Sequence, residues 1–118
     1  MSTFSKQFLS GSVNGKAIKV AAISTIGTTI HTAVSGTSNI DEIWLYAVNS
    51  SGADVSLTIE FGEATAPDGN IYVTIPAYSG LKLIVPGLLL QNSLVVTAFA
   101  SVANVICVHG YVNRITVS

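Results

Sequence analysis

Short apolar segments rich in β-branched residues recur along this chain, and they are separated by clusters of Gly, Pro, Asn and Ser. The clearest segment is residues 55–61, where Leu57 and Ile59 alternate with Thr58 and Glu60. Strict alternation over this length predicts a half-buried strand with one apolar face and one solvated face. No long helical period follows residue 30. The chain is therefore predicted to be all-β.

About eight such segments occur, at the spacing typical of sandwiches and barrels. They predict a single-domain antiparallel β-sandwich that is jelly-roll-like in its even strand count and two-sided core. Residues 42–49 are apolar on both faces and are predicted to form a strand covered on both sides, either central in a sheet or at a subunit contact. Residues 17–26 fit either a strand or a short helix. Pro86 and Gly87 are expected to break the strand that contains them.

A chain of 118 residues has room for one hydrophobic core. Residues 1–16 are predicted to form an N-terminal arm or edge strand, and residues 17–118 are predicted to form the sandwich domain. Turn signals at Gly11 and Gly15 separate the two parts. The arm carries three apolar side chains that we expect to contact another subunit: Phe4, Phe8 and Leu9.

Charged residues make up only 9% of the chain, against roughly 25% in an ordinary soluble protein. The net charge is −1, and hydrophobic residues make up 49%. This composition excludes a polybasic nucleic-acid-binding protein and an intrinsically disordered chain. Solubility usually depends on a charged exterior. We therefore expect a surface that is partly coated with hydroxyl and amide side chains and partly covered by other copies of the chain.

The longest uncharged stretch lies between Lys82 and Arg114. Its hydropathy alone is compatible with a membrane span, but it contains turn-forming residues and many β-branched side chains. We predict two buried strands with a turn between them and no membrane association. Cys107 is the only cysteine, which excludes an intrachain disulfide. The chain is expected to fold in a reducing compartment with this thiol buried.

No nucleotide-binding, hydrolase or metalloprotease motif occurs in the sequence. His31 and His109 are the only histidines, and His109 is expected to be a hydrogen-bonded structural residue in an apolar strand. Asp41 and Glu42 are expected at a solvated strand end because adjacent like charges repel, with calcium binding as the alternative. We predict no catalytic, metal-binding or cofactor-binding residue and no enzymatic activity. An enzymatic function for this chain requires His31 or His109 to lie in a solvent-open cleft beside a serine or a carboxylate.

Trp44 and Tyr46 lie two residues apart and therefore share one face of their strand. The favoured interpretation places this face in the core or at a subunit contact, and stacking on a sugar ring is the alternative if the face is exposed. Together with the apolar side chains of the arm, they complete the set of predicted contacts with other proteins. These residues are Phe4, Phe8, Leu9, Trp44 and Tyr46.

Seven segments between residues 28 and 115 resemble small virion proteins of tailed bacteriophages. They are IHTA (30–33), DEIWLYAVN (41–49), LTIEFG (57–62), IPAYSG (75–80), PGLLL (86–90), AFA (98–100) and VHGYVNRI (108–115). The similarity lies in the residue pattern and the order of the segments and includes no catalytic signature. It covers nearly the whole predicted sandwich and leaves residues 1–27 outside.

Such virion proteins resemble capsid decoration, or cement, proteins, which sit on the assembled shell and tie neighbouring capsomers together. The resemblance implies a non-enzymatic protein that stabilises the capsid, with the major capsid protein or other virion proteins as partners. It also implies a location on the capsid exterior after synthesis in the host cytoplasm. A homo-oligomer is expected, and a trimer suits three-fold positions of a shell. The alternatives are a neck, tail or fibre component and a carbohydrate-binding β-sandwich module.

Overall fold

The computed structural model describes residues 2–117, and all regular elements in this range are β-strands. This confirms the all-β prediction. The strands are β1 (Ser2–Phe8), β2 (Ile18–Lys19), β3 (Thr28–Thr32), β4 (Ile40–Asn49), β5 (Val55–Phe61), β6 (Asn70–Ile75), β7 (Lys82–Leu90), β8 (Val95–Ala100) and β9 (Ile106–Val117). The uncharged stretch between Lys82 and Arg114 contains most of β7, all of β8 and most of β9.

The strands form two antiparallel sheets. The first sheet has the order β1-β9-β4-β7, and the two-residue strand β2 also pairs with β9. The second sheet has the order β3-β8-β5-β6. Without β2, this is the strand order of a jelly roll, in which two Greek keys are combined. The predicted sandwich of about eight strands is therefore confirmed.

One hydrophobic core lies between the two sheets. Ile43 and Leu45 of β4 and Leu57 and Ile59 of β5 are among its fully buried side chains. Burial of each side chain of this size contributes about 1.5–3 kcal/mol relative to exposure. The inner faces of β4 and β5 are therefore a main source of the cohesion between the sheets.

β4 lies in the middle of the first sheet, between β9 and β7. Its side chains alternate between fully buried residues on the core side and half-buried residues on the opposite side. The prediction of a central strand is confirmed. The residues that face away from the core, including Trp44 and Tyr46, are only partly covered by this chain. Their apolar character is therefore not explained by the core of a single copy.

The solvated face predicted for β5 is wrong. Thr58 is 4% exposed and Glu60 is 1% exposed. The Glu60 carboxylate accepts hydrogen bonds from Thr25 Oγ1 and the Gly27 backbone N–H, both at 2.8 Å, and from Thr97 Oγ1. These three donors replace water around the buried charge. Alternation in the sequence identifies a polar face but does not show that another segment covers it.

β7 continues through Pro86 and Gly87, where the sequence predicted a break. Ile43 pairs with Leu88 and Trp44 pairs with Pro86, so Gly87 is the extra residue of a β-bulge. β7 is also an edge strand of the first sheet. An edge or a bulge is the place where a strand accommodates proline, because the missing N–H leaves no ladder partner unpaired.

Residues 2–26 contain one long strand and one short strand. β1 pairs with β9 along its whole length, from Ser2 opposite Val117 to Phe8 opposite Tyr111. All seven residues of β1 are exposed, so the second sheet does not extend beneath this strand. In the segment that fitted a strand or a helix, only Ile18–Lys19 forms a strand.

Candidate interaction surface

The first sheet has one face that points away from the core, and the strand register collects apolar side chains on it. Trp44 lies opposite Tyr111, and Phe8 lies opposite Tyr111 on the other side of β9. Directly opposed residues of antiparallel strands point to the same face. We name this surface the outer sheet face. Its apolar members are Phe4, Phe8, Ile40, Trp44, Tyr46, Val48, Leu83, Leu89, Tyr111 and Ile115.

The centre of the outer sheet face is a fixed pair of aromatic rings. The ring centroids of Trp44 and Tyr111 are 6.4 Å apart, and the ring planes are 11° from parallel. The Glu42 carboxylate accepts hydrogen bonds from Trp44 Nε1 at 2.8 Å and from Asn113 Nδ2 at 2.9 Å. The hydrogen bond from Trp44, and to a smaller extent the one from Asn113, lowers the pKa of Glu42 below its ordinary value. The indole is therefore held in one orientation by an ionised neighbour.

A cation lies at the β1 side of the aromatic pair. Lys6 Nζ is 5.1 Å from the centroid of the Tyr111 ring, within the range of a cation–π contact. A shallow depression of about 340 Å³ lies between Lys6, Gln7, Phe8 and Tyr111. The outer sheet face therefore combines aromatic rings with a positive charge and a fixed carboxylate.

Four of the five side chains predicted to contact other proteins lie on the outer sheet face. Phe4 is 75% exposed and Phe8 is 65% exposed, while Trp44 and Tyr46 are half-buried. Leu9 is only 2% exposed and belongs to the hydrophobic core. The chain turns inward directly after β1, which removes the Leu9 side chain from the surface that another subunit can reach.

Sequence reasoning missed Tyr111 as part of this surface. His109 and Cys107 lie on the same face of β9, opposite Tyr46 and Val48, and both are half-buried. The expectation of a buried Cys107 thiol is therefore wrong. The alternation along β9 was visible in the sequence, but both faces of this strand carry apolar residues. Periodicity then cannot decide which face points to the core.

A cluster of buried polar groups surrounds His31. His31 Nε2 lies 2.7 Å from Asp41 Oδ2, and the Ser10 backbone N–H donates to His31 Nδ1 at 3.0 Å. Arg114 donates to both oxygens of the same carboxylate, from Nε at 2.8 Å and from Nη2 at 3.0 Å. Because the Ser10 backbone N–H donates to Nδ1, His31 donates to the Asp41 carboxylate from Nε2.

Serine, histidine and aspartate are adjacent in this cluster, but their arrangement differs from that of a hydrolytic triad. Only the backbone of Ser10 contacts His31, and Ser10 Oγ accepts a hydrogen bond from the Thr32 backbone N–H at 2.7 Å. His31 is 1% exposed, so it does not lie in a solvent-open cleft. A triad requires the serine hydroxyl itself to bond the imidazole. The cluster joins the base of the arm to β3, β4 and β9.

The solvated strand end predicted for Asp41 and Glu42 is wrong. Both residues lie within β4 and point to opposite faces of the sheet, so their charges do not meet. Burial opposes ionisation of Asp41, but hydrogen bonds from Arg114 and His31 and the positive charge of Arg114 outweigh it and lower the pKa of Asp41. Within residues 2–117, no group of three His, Cys, Asp or Glu side chains is placed to hold a metal ion.

A second depression, of about 390 Å³, lies beside the second sheet and has Ile26, Leu94 and Val95 in its lining. Throughout the part of the chain that the structure describes, every buried side-chain nitrogen and oxygen has a hydrogen-bond partner. No unpaired buried group therefore points into this depression.

Comparisons of the chain with protein-family models, with curated proteins and with solved structures find no match. Over residues 2–117, no helix is long and apolar enough to cross a membrane.

Proposed function

We propose that this chain is a non-enzymatic structural protein of a tailed-phage virion, which binds and stabilises the assembled capsid through its outer sheet face. The observation that supports this proposal is the concentration of aromatic and aliphatic side chains on that face, across all four main strands of the first sheet. Soluble monomers rarely expose apolar patches beyond a few hundred Å². An apolar face on a chain with 9% charged residues is typical of a surface that a partner covers.

The fold and the sequence resemblance favour the same assignment. Jelly rolls are common in viral capsid and lectin domains. A fold does not define a function, so this support is an analogy. The segments between residues 28 and 115 that resemble phage virion proteins make up most of the jelly roll.

The mechanism follows from rigid surface contact. Backbone hydrogen bonds between its strands hold the outer sheet face in one arrangement, so little backbone order is lost when a partner docks. A specific contact of standard size buries about 1,600 Å². Repetition of such a contact over a shell multiplies its effect through high local concentration. Many copies that bridge neighbouring capsomers raise the barrier to rupture of the shell.

Shell stability tests this proposal. Shells without the protein are expected to rupture at a lower temperature than decorated shells, and the added protein is expected to restore the difference. Phe4→Ser and Phe8→Ser are expected to reduce the restoration because both rings lie on the outer sheet face. Tyr72→Ser is the matched control, since Tyr72 is 71% exposed on the second sheet. Equal rupture temperatures with and without the protein contradict the proposal.

The number of copies in each particle separates the capsid from the neck, tail and fibre. Capsid decoration requires on the order of hundreds of copies, because the contact repeats over the shell lattice. A neck or tail ring of closed rotational symmetry requires on the order of ten. Quantitative mass spectrometry of purified particles measures this number directly.

Carbohydrate binding is the second candidate function, and the aromatic pair favours it. Trp44 and Tyr111 present near-parallel rings beside the polar groups of Glu42, Asn113 and Lys6. Aromatic rings with a polar rim are suited to sugar stacking. A glycan array with the purified protein tests this function, with Trp44→Ala expected to abolish any signal and Tyr72→Ala expected to retain it.

A further inference from the structure

The two sheets have four edge strands, and three of them, β7, β3 and β6, are protected against pairing with a strand of another chain. The β7 edge contains Pro86 and two register shifts. The β3 edge contains a bulge between Thr29 and His31, and residues 10–11 bond to it through their backbone and side chain. The β6 edge, Asn70–Ile75, lies between Pro67 and Pro76. Interruptions, short length and coverage are the usual means by which proteins prevent edge-to-edge pairing.

The β1 edge lacks these protections. Its seven residues pair with β9 in one unbroken register, without proline and without a bulge. All seven are exposed, and the loop at Gly15 lies only against the Phe8 ring at one end of the strand. An exposed regular strand presents a row of unpaired backbone N–H and C=O groups on its free side.

We propose that β1 of one copy pairs antiparallel with β1 of a second copy across a two-fold axis, so that two first sheets become one continuous sheet. The inference rests on the edge alone and does not depend on the proposed binding to a capsid. Self-pairing of one strand is isologous and closes as a dimer. It therefore predicts pairs of chains in place of the trimer expected from the sequence.

The charge pattern of β1 favours its own copy as the occupant. Lys6 is the only charged residue of the strand. Its ammonium lies over the Tyr111 ring of the same chain and so does not block the free edge. A pairing centred on Ser5 places Lys6 of each copy opposite Phe4 of the other on the outer sheet face, with no like charges opposed.

The available area indicates a weak dimer. The exposed parts of Phe4 and Phe8 together amount to about 300 Å² per copy, and a standard interface buries about 800 Å² per partner. The backbone hydrogen bonds and the other β1 side chains add to this area without making it large. We expect pairing to depend strongly on protein concentration and to be complete where copies are held close together.

Sedimentation velocity of the purified full chain tests the dimer. The average mass is expected to rise from that of one chain toward that of two between about 1 µM and about 1 mM, the range of a weak interface. Ser5→Pro and Lys6→Pro are compared, because neighbouring residues direct their N–H groups to opposite sides of a strand. In one of these two variants the lost N–H points to the free edge, so the hydrogen bonds between β1 and β9 stay intact. This variant is expected to keep the mass of one chain at every concentration. Thr74→Pro in β6 is the control and is expected to associate like the unmodified protein.

A cross-linking measurement covers the case in which the proline variants fail to fold. Ser5→Cys and Thr74→Cys are made in a Cys107→Ala background and oxidised. The Cα atoms of opposed residues in paired strands are about 4.5–5.5 Å apart, which suits a disulfide. Ser5→Cys is expected to give a covalent dimer and Thr74→Cys is not. A one-chain mass at the highest concentration, or cross-linking through Thr74→Cys alone, overturns the proposal.

Discussion

At the scale of single residues, the molecule places its buried charges where complete sets of partners exist. Asp41 is 0% exposed, and its carboxylate accepts hydrogen bonds from His31, Arg114 and the Val34 backbone N–H. Glu60 is held in the same way by three donors. A buried charge is tolerated only with such pairing. Neither site was visible in the sequence, because its partners lie up to 73 positions apart along the chain.

Loss of the Asp41 charge is expected to destabilise the fold. Asp41→Asn replaces one acceptor oxygen with an amide donor that faces Arg114, His31 or the Val34 N–H, all of which are donors. Breaking a buried ion pair in this way costs about 3–5 kcal/mol. Urea titration measures the free energy of unfolding. Asp68→Asn, at an exposed position, is the control and is expected to change it by less than about 0.5 kcal/mol.

The same group predicts a pH dependence of stability. The pKa of Asp41 is lowered by folding from its ordinary value of 3.8. Its contribution is therefore fully present above pH 3.8 and is lost as pH falls through the lower pKa of the folded state. Thermal melting across this acidic range is expected to show a steeper decline for the unmodified protein than for Asp41→Asn. Parallel curves for the two proteins contradict this assignment.

At the scale of elements, the register between β4 and β9 depends on one glycine. A Cβ atom at Gly110 would overlap the Trp44 carbonyl oxygen on the adjacent strand. A side chain there forces the two central strands apart. The position of Trp44 and Tyr111 on the outer sheet face therefore depends on the absence of a side chain at Gly110.

Gly110→Ala is expected to lower stability by about 3 kcal/mol, the upper end of the usual cost of overpacking, because the clash involves backbone that cannot rotate away. Gly80→Ala is the matched control, since a Cβ at Gly80 meets no atom within 4 Å. Thermal unfolding followed by circular dichroism compares the two variants. Equal melting temperatures show that β4 and β9 adjust without cost and that this account of their register is incorrect.

The sequence predicted which segments form strands better than it predicted what covers each face of a strand. Period-two alternation located β5 because it records a strand directly. It did not reveal that the segment between β2 and β3 covers the polar face of β5, since coverage depends on tertiary contacts. Pro86 was expected to end a strand, whereas the edge position of β7 and the bulge at Gly87 accommodate it.

At the scale of the whole molecule, one apolar face is used for the core and another remains on the surface. The sandwich followed from composition and turn spacing, but its strand order was determined by pairings distant in sequence. Phe4, Phe8, Trp44 and Tyr46 were predicted as contact residues because they are large and apolar at strand-like spacing. Leu9 has the same character and lies in the core, which shows that residue type does not decide which side a chain segment faces.

Hydroxyl-radical footprinting tests the central claim, which is that the outer sheet face is the adhesive surface. Oxidation of Phe4 and Phe8 is measured on the isolated chain and on the chain within its native particle. We predict a several-fold decrease at both residues in the particle, with little change at Tyr72 and Tyr78, which are 71% and 75% exposed outside this face. Equal oxidation of Phe4 and Phe8 in both states shows that the face stays open to water and contradicts the claim.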